Sequence, residues 1–428
     1  MIKIYKFPKR TQWREYFSRP ILNETSMNEK INEVFNLVEM YRDEGLKKIA
    51  LEFDEYKSQS FKIPLESILN CSALVDIDVQ NAINLAQSNI QKFHESQISK
   101  TQIVETQRGV QCWRETRPIN NVGLYIPGGS APLFSTLLML AIPAKIAGVK
   151  NIYVATPPNK QGSVDPEILY VAKLLGINEI FTVGGIQAIA AFALGTETIP
   201  KVDKIFGPGN QFVTSAKAHA QKIGVAIDML AGPSELFVVA DNTANAEFVA
   251  ADLLSQAEHG TDSQVILASD SETLLQKVNA ICMDLIKTLP RKKIAKKSLS
   301  RSRFVLMSSI EDCIELSNFY APEHLILACS NERSLSNQIL NAGSVFLGNF
   351  SCESAGDYCS GTNHALPTGG TAVAASGISV ESFQKKISFQ TVSKQGLEIL
   401  GPAIKTMANA EGLQGHALAV DVRLESNS

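Results

Sequence analysis

The stretch VGLYIPGGSAPLFSTLLMLAIPAKIAGVKNIYVATPP, residues 122–158, decides the fold class. A short apolar run closes in a Pro-Gly-Gly turn and reads as a strand. Pro132 then stands where helices begin, Leu133 to Ala147 is apolar and of helical length, Gly148 is placed to end it, and Pro143 predicts a kink. NIYVATPP follows as a second strand. Strand, glycine turn, helix and strand in this order are one unit of a parallel sheet with crossover helices.

Working outward toward the C-terminus, EIFTVGG (179–185), KIFGPGN (204–210) and VAIDMLAGPSE (225–235) read as further strands. Helical stretches around 165–175, 186–194 and 211–223 separate them. The pattern restarts with SELFVVAD (234–241), a helix over 245–258, SQVILAS (263–269) and a helix over 272–289, which predicts a second open α/β unit. Toward the N-terminus, residues 1–105 are polar, with a helical spacing in Ile31, Val34, Leu37, Val38 and Tyr41. Beyond Gly377 the chain is expected to be helical and polar again.

Composition narrows the function. The 428 residues are enough for two or three domains, and 45% hydrophobic with 19% charged residues is ordinary for a globular protein. Forty basic against 43 acidic residues leave a net charge of -3, which argues against nucleic acid as a partner. The basic run RKKIAKKSLSRSR (291–303) reads as a solvated helix face. Seven scattered cysteines without a C-x-x-C pair read as reduced thiols. With no signal peptide and no membrane span in the sequence, a cytoplasmic location is expected.

The polar residues able to do chemistry lie in four segments. SQAEHG puts Gln256 and His259 three apart near a helix end, on one face, although a histidine there also simply suits the helix dipole. APEHLIL joins Glu323 to His324 at the start of an apolar strand, a pair able to manage protons or merely a hydrogen-bonded cap. ESAGDYCSGTNHALPTGG (353–370) carries Asp357 and His364 in a loop too rich in glycine and proline for a regular element. Its Cys359 has nothing to guarantee a reactive thiolate. AEGLQGHALAV (410–420) adds Glu411 and His416, which a surface helix would also explain. Gln256, His259, Asp357 and His416 together offer imidazole and oxygen donors without thiolate, which suits a catalytic zinc or manganese site. IPGG, VGG and GPGN follow strands and could meet a phosphate-bearing ligand, although no G-x-G-x-x-G is present.

These segments, together with VGGIQAIAAFALGT (183–196) and KIFGPGNQFVT (204–214), resemble the histidinol dehydrogenase family in order and spacing from about residue 105 to 423. The resemblance implies two open, doubly wound, incomplete Rossmann-like parallel-sheet domains in a domain-swapped homodimer. Residues 21–122 and 234–378 would form the first, carrying the metal and catalytic groups, and 123–233 the second, binding NAD. Residues 1–20 and 379–428 would be small helical extensions contributing to the partner subunit.

The implied activity is the zinc- and NAD-dependent oxidation of L-histidinol through L-histidinal to L-histidine, consuming two NAD and one water. The implied zinc ligands are Gln256, His259, Asp357 and His416. Ser234, His324, His364 and Glu411 would join those ligands around the substrate, and Tyr125, Gln187 and Asn210 would touch NAD. His324 would be the general base and Glu323 would activate water. An imidazole of ordinary pKa then predicts activity falling below roughly pH 6.5 to 7. A zinc hydrolase using Glu323, or a non-catalytic relative, are the rival readings. Leu230 stands where proline is expected before AGPSE.

Overall fold

The computed structural model describes residues 2–19, 25–53, 60–128, 132–159, 161–230 and 232–426. The second glycine of IPGG and the alanine of AGPSE lie outside them. Two parallel sheets form the frame. The larger has six strands in the order Lys3–Lys6, Arg303–Leu306, Gln264–Ser269, Glu235–Ala240, His324–Ala328 and Ser344–Leu347. The smaller has five, ordered Ile180–Thr182, Asn151–Thr156, Asn121–Tyr125, Lys204–Phe206 and Ala226–Ile227. Every residue of Glu235–Ala240, Gln264–Ser269 and His324–Ala328 is buried, as continuous apolar runs in a sheet covered on both faces require.

Helices cover both faces of each sheet, so four cores form. The expected helices stand at Phe134–Ile146, Pro166–Leu174, Gly185–Leu194, Gln211–Lys222, Ala246–Ala257 and Glu272–Leu285. Phe134–Ile146 is buried nearly all round, which is why its sequence shows no polar stripe. The basic run forms the helix Lys292–Arg301, whose buried residues are Ala295, Ser298 and Leu299 while its lysines lie on the solvated side.

Four features add to the sequence reading or differ from it. The helices Thr25–Phe53 and Ile77–Glu95 pack on the five-stranded sheet and its helices, and Ile77–Glu95 also meets residues 359–378 through Asn89 and His94. Residues 2–19 pack against the six-stranded sheet. Lys3–Lys6 forms the edge of the six-stranded sheet against Arg303–Leu306, and Trp13 and Phe17 enter its core. Val104–Gln107, Val110–Pro118 and Gln384–Val392 form an antiparallel sheet where helix was expected after Gly377. Its strands lie mostly at the surface, and Trp113 stacking on Phe389 ties two of them together. Finally, VAIDMLAGPSE contributes only Ala226–Ile227 to the five-stranded sheet, while its Glu235 begins a strand of the six-stranded one. The chain ends in a helical hairpin, Lys394–Ala410 and Gln414–Glu425, closed by Gly401 against Val420 and Leu424 and by Lys405 paired to Asp421. No described helix is long and apolar enough to cross a membrane.

Candidate active site

The two sheets meet across a cleft of about 380 Å³. Pro127, Gly128, Pro208, Gly209 and Asn210 enter it from beyond the carboxyl ends of Asn121–Tyr125 and Lys204–Phe206. Ser234, Glu323 and His324 enter from the opposite side, at the amino ends of Glu235–Ala240 and His324–Ala328. The usual rule places ligands at carboxyl ends of parallel strands, and only the smaller sheet obeys it here. His259, Asp357, Tyr358 and His364 complete the wall. Gln256 is fully buried immediately behind it.

Each side chain is held by local structure. Gln256 stands in the last turn of Ala246–Ala257, and the turn that follows carries His259. The Gln256 amide nitrogen faces the Glu353 carboxylate and His259 Nδ1 at 3.3 Å, and its oxygen accepts from the Glu235 N–H at 2.8 Å. Glu353–Tyr358 is a short helix, so Glu353 and Asp357 stand four apart on one face and converge with His324. That spacing was visible in ESAGD, and it is the signal by which Glu353 could have been found.

His324 Nδ1 lies 3.3 Å from the Glu235 carbonyl, 3.6 Å from Glu323 and 3.7 Å from Glu353, while Nε2 lies 3.4 Å from Asp357 Oδ1. Nε2 makes no hydrogen bond of good geometry. His364 Nδ1 sits 2.8 Å from the Asp357 carbonyl, the contact of an N–H donor, so its Nε2 is left as the acceptor.

A proline inside a helix prepares this loop. Pro143 has no N–H to offer Met139, and the carbonyl of Met139 accepts instead from Asn363 Nδ2 at 2.6 Å, beside His364. Asn89 Nδ2 donates to the Cys359 carbonyl at 2.8 Å, so the helix Ile77–Glu95 also anchors the loop.

Electrostatics separates the groups. Burial pushes His259 and His364 below the ordinary imidazole value and keeps them neutral, fit to ligate or accept. Asp357 is buried too, but the neighbouring histidines, His324 first, hold it below its ordinary value as a carboxylate. Burial pushes Glu323 up to about 8. Burial alone would lower His324, yet Glu323, Glu353 and Asp357 outweigh it and raise the imidazole to about 10. The ordinary pKa assumed for His324 therefore does not hold: three carboxylates within 4 Å keep its proton on.

The tightest group of ligating atoms among the described residues is His324, Glu353 and Asp357, within 4.8 Å of one another. Of these only Asp357 belongs to the expected ligand set. The expected set has the donor chemistry of a cation site. A neutral imidazole (His259), an amide (Gln256) and an ionised carboxylate (Asp357) come together, with no thiolate lining the cleft, and three donors from one chain leave a position open.

Glu411 and His416 are exposed at the turn of the C-terminal hairpin and do not line this cleft. Asn210 caps Gln211–Lys222 through Oδ1, accepting from Phe212 and Val213, so its amide nitrogen is the donor turned to the cleft. Tyr125 and Gln187 lie apart from the histidines, buried at the start of Gly185–Leu194, where the Tyr125 hydroxyl accepts from the Gly185 N–H at 3.1 Å.

A family model described as histidinol dehydrogenase matches residues 17–424. The histidinol dehydrogenase of Bacteroides thetaiotaomicron is 49% identical over 426 residues, covering 100% of both chains. That of Escherichia coli is 46% identical over 418 residues, covering 97% of this chain and 95% of the relative. A crystal structure of histidinol dehydrogenase from Elizabethkingia anophelis superposes with a TM-score of 0.98 at 53% identity, covering 100% of this chain and 99% of that one.

Proposed function

The chain belongs to the histidinol dehydrogenase family, an oxidoreductase family of histidine biosynthesis, and from that premise we propose how its cleft oxidises L-histidinol to L-histidine. The observation that carries the reading is the buried Glu323–His324 pair beside Gln256, His259 and Asp357 at the junction of the two sheets.

Gln256, His259 and Asp357 would hold a zinc ion with His416 of a second copy. Tyr125, Gln187 and Asn210 would meet NAD at the carboxyl edge of the five-stranded sheet. When bound, zinc orients the substrate's amine and imidazole, and NAD accepts one hydride at each of two stages. Everything else falls to the chain. Ser234, His364 and Glu411 of the second copy orient the polar ends of the substrate.

His324 Nε2, having no hydrogen-bond partner, removes the hydroxyl proton as the alcohol becomes the aldehyde, with Nδ1–H held by the Glu235 carbonyl. Its own proton must leave first. That proton can pass to solvent in the open cleft, against the pull of Glu323, Glu353 and Asp357, and Asp357 would pull less if it held a cation. Glu323 is fixed through Oε2 by the Glu235 N–H, and its carboxylate takes a proton from the water that adds to the aldehyde. After His324 has returned its first proton to solvent, it takes one hydroxyl proton of the resulting diol as the second hydride leaves to NAD, giving the acid. One water is consumed and two NADH are formed for each histidine.

A C-terminal hairpin that exposes Ile399, Met407, Leu413, Leu418 and Val422 supports a domain-swapped homodimer in which this hairpin completes the partner's cleft. The two sheets, each covered on both faces, support the doubly wound Rossmann-like description. A cytoplasmic location accords with seven free cysteines.

The test is NADH stoichiometry with purified protein. Two NADH per histidine are expected, and a Glu323→Gln variant should still oxidise histidinol to the aldehyde while slowing the aldehyde step selectively. One NADH per histidinol consumed by wild type, or equal slowing of both steps in the variant, would overturn the scheme.

A further inference from the structure

Glu235 touches both members of the catalytic pair through its backbone. Its N–H donates to Glu323 Oε2 at 2.8 Å and its carbonyl lies 3.3 Å from His324 Nδ1. The same N–H also faces the Gln256 amide oxygen at 2.8 Å. Yet Glu235 is the first residue of its strand, and on the side of the catalytic strand the ladder begins only at the next residue, where Leu236 pairs with His324. This end of the backbone is therefore only half restrained by sheet hydrogen bonds.

Its side chain supplies the rest. The carboxylate is 3% exposed and is gripped at both oxygens by one guanidinium, Arg19 Nε to Oε1 at 2.5 Å and a terminal nitrogen to Oε2 at 2.9 Å. That terminal nitrogen also donates to the Tyr320 carbonyl at 2.7 Å, and the guanidinium lies over the Tyr320 ring at 3.9 Å. Tyr320 is the last residue of the helix Ile310–Tyr320, three residues before Glu323. Arg19 thus binds the two backbone segments that flank the catalytic pair, one through Glu235 and one through Tyr320. A planar fork with a stacking face can make all of these contacts at once, which an ammonium cannot.

We propose that Arg19, from the N-terminal segment, is a positioning residue for the Glu323–His324 pair, acting through Glu235. This rests on the roles given above to Glu323 and His324. Arg19 touches no reacting atom. It sets the position of the N–H that orients the Glu323 carboxylate and, less tightly, of the carbonyl that orients the His324 ring. Disturbing it should lower turnover more than it changes the KM for histidinol, since of the groups that hold the substrate only Gln256 also meets this N–H.

The test uses the full-length, metal-loaded enzyme with histidinol and histidinal supplied separately. Arg19→Met is expected to slow aldehyde oxidation about tenfold and alcohol oxidation less, with the KM for histidinol changed by less than about twofold. Arg19→Lys, which keeps the charge but loses the fork, should recover part of the loss. Glu235→Gln should show the same split. The double variant Arg19→Met/Glu235→Gln should be no slower than Arg19→Met alone, because the two residues act as one unit.

Losses that multiply in the double variant, or unchanged kcat with only a lower melting temperature, would overturn the proposal. So would a raised KM at unchanged kcat, or a lysine variant no better than methionine. Glu323→Gln, run alongside, separates the two levels. If it slows the aldehyde step selectively and Arg19→Met does not, the positioning role fails. If it spares that step, the role given to Glu323 fails first.

Discussion

Gly343 sits against the backbone of Glu323, and replacing it by alanine tests how closely turnover depends on the position of that residue. A Cβ built on Gly343 would lie 2.5 Å from the Glu323 carbonyl oxygen and 3.1 Å from Leu366 Cβ. Both neighbours are part of packed structure: Ser344 N–H donates to that same carbonyl at 2.9 Å, and Leu366 is buried. Restoring an ordinary contact needs a retreat of about 0.9 Å, and Leu366 blocks the glycine from moving the other way.

Overpacking of this kind costs about 1–3 kcal/mol of stability. A misplacement of about 1 Å costs on the order of a hundredfold in rate, so if part of the shift passes to Glu323 and His324 we expect kcat to fall about tenfold to thirtyfold. The assay is NADH formation at saturating histidinol and NAD, with a melting curve on the same sample. Gly224→Ala is the control. Its φ of +90° makes alanine strained, but nothing lies within 4 Å of the new Cβ, so stability should drop while kcat stays put. A Gly343→Ala enzyme with kcat within about twofold of wild type would refute the idea that this carbonyl sets the geometry of the pair.

Glu323 must be ionised to activate water, and burial holds it up at about 8. The active fraction therefore grows as pH rises, and kcat/KM for aldehyde oxidation should increase about thirtyfold from roughly pH 6.5 to 9. A plateau already reached at neutral pH would count against it. Lys217→Met should destabilise the protein by about 3 kcal/mol in urea titrations and raise the KM for NAD. That variant strands Asp228, whose oxygens accept the N–H groups of Gly207 and Met229, and removes the Nζ contact to the Gly207 carbonyl at 3.0 Å. Equal stability, or an unaltered KM, would show that the buried pair does not hold the GPGN turn. His416→Ala should lose metal, and mixing it with His259→Ala under conditions of subunit exchange should restore activity in some of the mixed dimers. Absence of recovery after proven exchange would place all ligands within one chain.

Much of this protein is written locally. The alternation from Val122 onward determines parallel sheets, because a buried strand must be a short apolar run and its crossover must be a helix. The polar segments likewise announce Gln256, His259, Glu323, His324, Asp357 and His364, since histidines and carboxylates are scarce inside apolar runs and costly to bury without purpose. Even Glu353 was legible, four residues before Asp357. The surface strands Val104–Gln107, Val110–Pro118 and Gln384–Val392 were not, because exposure blurs the two-residue alternation, and what makes them strands is pairing with partners remote in sequence.

Tertiary structure alone decided where the catalytic groups meet and how they titrate. The helices of residues 25–95 are amphipathic in either location, and only packing assigns them to the five-stranded sheet. No local rule brings the amino edge of one sheet against the carboxyl edge of the other, or carries Arg19 to Glu235 across 216 residues. The proton held on His324 is likewise a sum over Glu323, Glu353 and Asp357, and Coulomb interactions depend on distances in space that residue spacing does not contain.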